Sequence, residues 1–292
     1  MEIIIAKNSG LCYGVKRALQ MARKARLRAA GPVYTLGELI HNPQIIADLE
    51  NQGLHAVDDP AFVDKGTIII RSHGVAPETY KILKGKNVEI IDATCPIVQR
   101  IQELVEGVAQ KNDEIVIVGN TDHPEIQGLI GYSSDKARII ESEPQARSLP
   151  RKKTRAVLAQ STLDVSLFGR VVAVLAEKTE KLTVYNTICR STETRQKSTS
   201  ELAYRVDVLF IIGGKNSSNT NTLYRISKRI LPRTYLIESA REITPRLLKR
   251  AKRIGISGGA STPPEAIAEA VAKIRKSFQY QSQRENLIQW QS

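Results

Sequence analysis

Three cysteines, Cys12, Cys95 and Cys189, divide the 292-residue chain into near-equal thirds. Each stands in its own motif: Ser9-Gly10-Leu11-Cys12-Tyr13-Gly14, Asp92-Ala93-Thr94-Cys95-Pro96 and Thr187-Ile188-Cys189-Arg190. Thiolates are soft ligands suited to zinc or to iron–sulfur centres. Three of them, supplied by three similar modules, would leave one metal position open, and an open position is where substrate chemistry takes place. The same cysteines are equally compatible with buried, inert thiols. An odd count and a start without a secretory pattern speak against disulfides, and Met1 to Ala6 reads as a first strand. No C-x-x-C occurs, so a metal site here must be assembled by tertiary convergence.

Four histidines are present. Three stand where the backbone turns, in Ile40-His41-Asn42-Pro43, Arg71-Ser72-His73-Gly74-Val75 and Asp122-His123-Pro124-Glu125, whereas His55 reads as an ordinary surface or edge residue. Glu125, two residues past His123, is the carboxylate best placed for acid–base work. The last third adds a glycine turn followed by small donors and a helix start, Gly213-Gly214-Lys215-Asn216-Ser217-Ser218-Asn219-Thr220. It lacks the first glycine of a P-loop, and Asn216 stands where Ser or Thr should follow the lysine. A glycine turn feeding a helix N-terminus is nonetheless a physical recipe for binding anions. Gly258-Gly259-Ala260-Ser261-Thr262-Pro263 repeats it, and Gln160-Ser161-Thr162 repeats it more weakly. Plain helix capping explains any one of them. Three such loops beside three histidines point to a ligand with two or more phosphates.

The elements that must position these residues alternate along the chain. Strands are expected at Ile3–Ala6, Val33–Leu36, Thr67–Ile70, Val88–Ile91, Glu114–Val118, Thr154–Ala159, Leu182–Tyr185, Val206–Ile212, Thr234–Ile237 and Arg253–Ile256. Several are continuous apolar runs, as in strands buried on both faces. Between them lie amphipathic stretches, such as Val98, Ile101, Leu104, Val105 and Val108 at helical spacing, or Ala266, Ala270, Val271 and Ile274 after Pro263-Pro264. The alternation predicts an α/β fold with mostly parallel sheets, whose ligands bind beyond the carboxyl ends of the strands. A chain of this length buries roughly 75% of its unfolded surface. No apolar run approaches the ~20 residues that span a membrane, so a soluble, cytoplasmic protein is expected. The net charge of +13 concentrates at Lys16 to Arg28, Arg151 to Arg155 and Arg246 to Arg253 without interleaved aromatics, which argues against a single-stranded nucleic-acid platform. Solvated basic faces, or docking of an acidic electron carrier, account for it better.

Taken together, Asp92-Ala93-Thr94-Cys95-Pro96, His123-Pro124-Glu125 and Gly214-Lys215-Asn216-Ser217-Ser218-Asn219 resemble the LytB family of 4-hydroxy-3-methylbut-2-enyl diphosphate reductases. The resemblance extends over nearly the full length, from Ala6 to Pro263. It implies three similar α/β modules around a central 4Fe–4S cluster, one per chain, held by Cys12, Cys95 and Cys189. The modules would cover residues 13–95, 96–188 and 189–280, with residues 1–12 packing on the third and 281–292 as a polar tail, loosely held or capping a neighbouring surface. The resemblance further implies reductive dehydroxylation of the diphosphate substrate to isopentenyl and dimethylallyl diphosphate, the last step of the non-mevalonate isoprenoid route. His41, His73, His123, Ser217, Ser218, Asn219 and Ser261 would hold the diphosphate. Glu125 would supply protons, with His123 as a further catalytic group and Ser161, Thr162 and Asn219 beside the reacting hydroxyl. Electrons would come from a donor such as ferredoxin or flavodoxin, and neither membrane nor nucleic acid is expected as a partner. Two residues depart from the usual pattern: Arg190 in place of Tyr after the third cysteine, and Ser161 in place of the first of two threonines after Gln160. Competing readings are another three-cysteine cluster enzyme of the dehydratase or quinolinate synthase type, a structural zinc site, or a basic nucleic-acid-binding protein without a cluster.

Overall fold

In the computed structural model the described residues are 1–111 and 114–289, with side chains described as far as 279. Twelve strands occur among them: β1 (Glu2–Ile5), β2 (Val33–Leu36), β3 (Leu54–Val57), β4 (Lys65–Ile70), β5 (Asn87–Asp92), β6 (Glu114–Val118), β7 (Arg138–Ile140), β8 (Lys152–Ala159), β9 (Thr179–Tyr185), β10 (Val208–Ile212), β11 (Thr234–Ile237) and β12 (Arg253–Gly258). They form three four-stranded sheets of order β1-β12-β10-β11, β3-β2-β4-β5 and β7-β6-β8-β9. Every pairing is parallel. The inner strands are the apolar runs: Ile68, Ile69 and Ile70, then Ile115 to Val118, then Val208 to Phe210 are buried, as a parallel sheet covered on both faces requires.

By compactness the chain divides in two: one unit of residues 1–11 and 194–292 holds the first sheet, and a second unit, 12–193, holds the other two. The division by sheets is thus threefold and the division by compactness twofold. In the first unit β1 pairs in register with β12, Ile3 opposite Ile254 and Ile5 opposite Ile256, so the chain's first strand completes a sheet made from its last third. In the second unit the helix Pro96–Ala109 buries Val98, Ile101, Val105 and Val108, the stripe expected from their spacing.

Two strands, β3 and β7, were not among those expected. Both are short edge strands, and their exposed positions (His55 and Ala56 in β3, Arg138 in β7) break the apolar run that marks the inner strands. The helix Pro264–Gln289 continues its backbone through 281–289, where a loose tail was expected. Gln, Arg, Glu and Leu are good helix formers, and polarity alone does not stop a helix. The side chains from 280 onward and residues 290–292 lie outside the described residues.

The positive surplus is unequally shared: 19 Lys and Arg against 8 Asp and Glu in the first unit, 24 against 22 in the second. The basic clusters at 16–28 and 151–155 are therefore offset by acidic residues of their own unit. Five of the first unit's 19 cations (Arg246, Lys249, Arg250, Lys252 and Arg253) lie in the segment leading into β12 at the amino edge of its sheet. That is the edge opposite the loops that carry Ser217 and Ser261, so these charges are not on those loops.

Candidate active site

The residues expected to do chemistry lie just beyond the carboxyl ends of strands. Within the second unit, His41 follows β2, His73 follows β4, Cys95 follows β5, His123 follows β6, Ser161 follows β8 and Cys189 follows β9. Each cysteine opens a helix: Cys12 before Tyr13–Arg28, Cys95 before Pro96–Ala109 and Cys189 before Arg190–Ala203. The N–H dipoles of a helix start favour a thiolate over a thiol. Cys12 Sγ accepts the Val15 N–H at 3.5 Å. All three are free and half-buried. Burial pushes the Cys95 thiol up, the N–H groups of Ile97 and Val98 pull it partly back, and the neighbouring charges of Cys12 and Cys189 push it up again.

Cys12 and Cys95 meet at Gly14. A Cβ on that residue would stand 2.7 Å from Cys95 Sγ and 4.0 Å from Cys12 Sγ, so only glycine leaves room between them. Among the described residues, the three cysteines do not form a group whose ligand atoms all lie within 4.8 Å of one another; only the histidines do. Three thiolates on one tetrahedral zinc at Zn–S about 2.3 Å would sit about 3.8 Å apart. The wider spacing suits a polynuclear centre and argues against the zinc alternative. Backbone hydrogen bonds tie the cysteine loops to the others: Cys95 N–H donates to Ser72 O, and Cys189 N–H to Ser161 O, both at 3.0 Å.

His41, His73 and His123 form one cluster. The rings of His41 and His73 stack at 4.4 Å, and His123 meets them edge-on at 5.6 and 5.3 Å. His41 Nδ1 lies 3.0 Å from Glu38 Oε2. His123 caps the helix Pro124–Tyr132, its Nδ1 accepting the Glu125 N–H at 3.2 Å. Neutral His123 therefore carries its proton on Nε2, as a donor. Burial, then the like charges of His41 and Arg71, pushes His123 down to about 3. Burial and the same neighbours, with His123, hold His73 well below the usual histidine range. Both are neutral at pH 7.

Glu125 is 2% exposed. Its Oε1 accepts the Ser161 N–H at 2.7 Å and its Oε2 accepts the Ser161 Oγ–H at 2.5 Å. Burial raises its pKa and the two Ser161 bonds pull it partly back. Thr162 Oγ1 accepts from Gln160 Nε2 at 3.0 Å, and Gln160 Oε1 accepts the Asn120 N–H at 3.0 Å, which fixes the loop after β8 against the loop after β6.

The first unit carries the hydroxyl and amide residues. Ser217 caps the helix Ser218–Ile230, its Oγ accepting the Thr220 N–H at 3.4 Å. Asn219 is 3% exposed; its Oδ1 accepts the Ala260 N–H at 3.1 Å, while its Nδ2 is buried without a partner. That bond joins the glycine turn after β10 to the one carrying Ser261.

A family model described as LytB protein matches residues 3–275. The chain belongs to the LytB family. Its curated relatives include 4-hydroxy-3-methylbut-2-enyl diphosphate reductases of Geotalea uraniireducens, 42% identical over 276 residues that cover 94% of this chain and 98% of that one, and of Caldanaerobacter subterraneus subsp. tengcongensis, 43% identical over 279 residues covering 94% and 97%. A solved structure of (E)-4-hydroxy-3-methyl-but-2-enyl diphosphate reductase, the terminal enzyme of the non-mevalonate pathway, superimposes with a TM-score of 0.67 at 40% identity, covering 94% of this chain and 100% of that one. The E-1-hydroxy-2-methyl-but-2-enyl-4-diphosphate reductase of Plasmodium falciparum gives 0.88 at 26% identity, covering 93% and 87%. The three parallel-sheet α/β modules are those of the LytB structures.

Two side chains of this LytB protein stand at the histidine cluster that the sequence did not single out. Glu38 is the carboxylate on His41. Arg71, two residues before His73, is half-buried, and its charge reaches both His73 and His123. The signal available in the sequence was adjacency alone, Arg71-Ser72-His73, and an arginine just past a strand ordinarily reads as solvated.

Proposed function

We propose that the protein removes the hydroxyl of (E)-4-hydroxy-3-methylbut-2-enyl diphosphate reductively. Two electrons and two protons enter, the allylic C–O bond breaks, the oxygen leaves as water, and isopentenyl and dimethylallyl diphosphate are formed. The protein is cytoplasmic in this reading, and its electrons come from an acidic carrier of the ferredoxin or flavodoxin type. The observation that carries the reading is a buried proton donor tied to the cysteine loops: Glu125 is held by Ser161, whose carbonyl accepts the Cys189 N–H.

The donor set fits a 4Fe–4S cluster on Cys12, Cys95 and Cys189. Three free thiols sit at three helix starts, Gly14 leaves room beside two of them, and cationic iron would offset the burial, and the lesser repulsion, that raise Cys95. When bound, the cluster supplies electrons and, at its iron without a protein ligand, Lewis acidity toward the substrate oxygen.

The chain's own residues do the rest. His41, His73 and His123, with Ser217, Ser218, Asn219 and Ser261, bind the diphosphate. Neutral His123 offers Nε2–H to it, and Asn219 offers a buried Nδ2 that has no other partner. Thr162 and Ser161 orient the reacting end, and Glu125, whose pKa burial raises, gives a proton to the departing oxygen. The unpaired cation Arg71 beside the imidazoles favours an anion there over a metal ion.

Anaerobic iron and sulfide analysis, combined with an assay of the diphosphate substrate under a low-potential reductant, tests the proposal. About four irons per chain, lost in Cys95→Ser, together with formation of both five-carbon diphosphates, is the expected result. A colourless protein after anaerobic reconstitution would sink it.

A further inference from the structure

The half-buried guanidinium of Arg71 has no hydrogen-bond or ion-pair partner among the described residues. Its Nε is buried without a hydrogen bond, and no carboxylate lies within ion-pairing distance of the guanidinium among the described residues. Asp58 acts on it only as a more distant counter-charge, and burial lowers its pKa. The fold also makes space for this side chain. Gly37, with φ of +68°, follows β2, and a Cβ there would overlap Arg71 Nη1 and stand 3.3 Å from Cζ. The guanidinium thus lies across the backbone that leads from β2 into Glu38 and His41. A buried cation is ordinarily paired, so its missing partner is an anion that the described residues do not supply.

We propose that Arg71 is the fixed positive charge of the anion site around His41, His73 and His123, a substrate-positioning residue that holds the diphosphate while the imidazoles stay neutral. The proposal rests on the function proposed above and adds to it the source of the site's charge. The charges that face the cluster are few. Glu38 lies on His41, Asp58 stands behind Arg71, and the buried Glu125 is two residues from His123. With His73 and His123 neutral, these carboxylates would repel a diphosphate if Arg71 were absent. Burial and the neighbouring imidazoles do most to keep His73 and His123 neutral, and the Arg71 charge adds to this, so its removal should let them protonate at somewhat higher pH and partly take its place.

Inorganic diphosphate titrated calorimetrically into the full-length, cluster-loaded protein at pH 8 and pH 6 tests this, with Arg71→Gln and Arg71→Lys. Arg71→Gln should lose at least about tenfold in affinity at pH 8. The loss should shrink at pH 6, with more protons taken up per diphosphate bound than in the unaltered protein. Arg71→Lys should stay within about threefold of the unaltered protein at both pH values. Unchanged affinity in Arg71→Gln at pH 8 overturns the proposal. So does a loss equal at both pH values that lysine does not rescue, since that marks a packing role against Gly37. If the unaltered protein itself fails to bind diphosphate, the anion-site reading falls, and the assignment of Arg71 falls with it.

Discussion

Two carboxyl-edge regions of this chain are suited to negative charge, and they differ in chemistry. In the first unit, the loops after β10 and β12 offer only neutral groups: the Ser217 hydroxyl, the Asn219 amide and the N–H groups at a helix start, cross-linked by Asn219 Oδ1 to Ala260 N. In the second unit, three imidazoles and an arginine cluster together, with Glu38 and Glu125 close by. The first set is fixed by backbone geometry and does not titrate near neutral pH. The second can exchange protons. A reductive dehydroxylation needs both kinds of group: one to hold the diphosphate regardless of protonation state, and one to deliver protons where bonds break.

The sharpest way to break the comparison is to crowd the cysteine site next to the second region. Gly14→Ala places a methyl 2.7 Å from Cys95 Sγ, whereas a Cβ on Gly107, in the helix that Cys95 opens, meets nothing within 4 Å. Gly14→Ala should lose most of its iron and its absorption near 400 nm, and Gly107→Ala should keep both. Equal iron in the two variants would show that the sulfurs do not need the space at Gly14.

Glu125→Gln tests the proton-delivering half. It keeps an acceptor for Ser161 but cannot donate as an acid. We expect kcat to fall by about 100-fold or more, with KM changed only a few-fold. A loss confined to KM would move Glu125 from proton donor to binding group.

Asn219→Ala and His123→Asn then set the two regions against each other. Losing a buried hydrogen bond to a charged ligand costs about 1.5–3 kcal/mol, or roughly 10- to 100-fold in affinity. For Asn219→Ala the loss of diphosphate affinity should be the same at pH 6 and pH 8. For His123→Asn it should also be the same at those two values, where the imidazole is neutral, and should grow only as pH falls toward about 3, where the imidazole gains charge. Identical pH dependence in both variants over that lower range would erase the distinction between the regions.

The second region should also show itself in stability. His73 and His123 titrate lower in the folded protein than the 6.5 of an unfolded histidine. As pH falls below 6.5 the unfolded chain binds protons that the folded one refuses. The stabilisation is therefore complete above about pH 7 and is lost as pH falls toward the folded value, about 3 for His123. For His123, between pH 7 and pH 5, this amounts to roughly 2 kcal/mol. Melting temperature should drop over that interval and recover when diphosphate is added. His73→Asn should flatten the dependence.

The two regions were not equally legible from the sequence. The neutral loops are local: a glycine turn, small donors and a helix start lie within eight consecutive residues from Gly213 to Thr220, so pattern and position coincide. The inner strands were legible for the same reason, as uninterrupted apolar runs. The imidazole cluster is assembled from three loops in two sheets. Its members could be named singly, but the partners that set their protonation could not. Glu38 and Arg71 look like ordinary charged residues until Gly37, turning with a positive φ, brings the guanidinium across the strand end. Edge strands β3 and β7 escaped because their composition carries no alternation or run long enough to count. The joining of two sheets into one compact unit depends on side-chain packing that no local pattern encodes.

The smallest expected effect concerns Ser161. Its two hydrogen bonds stabilise the ionised form of Glu125 against a burial that disfavours it. Ser161→Ala removes the hydroxyl donor, so the Glu125 pKa should rise. A carboxylic acid that must be protonated to work loses activity as pH climbs through its pKa, so the alkaline limb of kcat should move to higher pH. Ser161→Thr keeps the donor and adds one methyl beside a buried carboxylate. Its limb should stay in place, with kcat within a few-fold of the unaltered protein. If threonine moves the limb as far as alanine does, the hydroxyl in this chain is not what tunes Glu125, and the backbone N–H of residue 161 must carry that role alone.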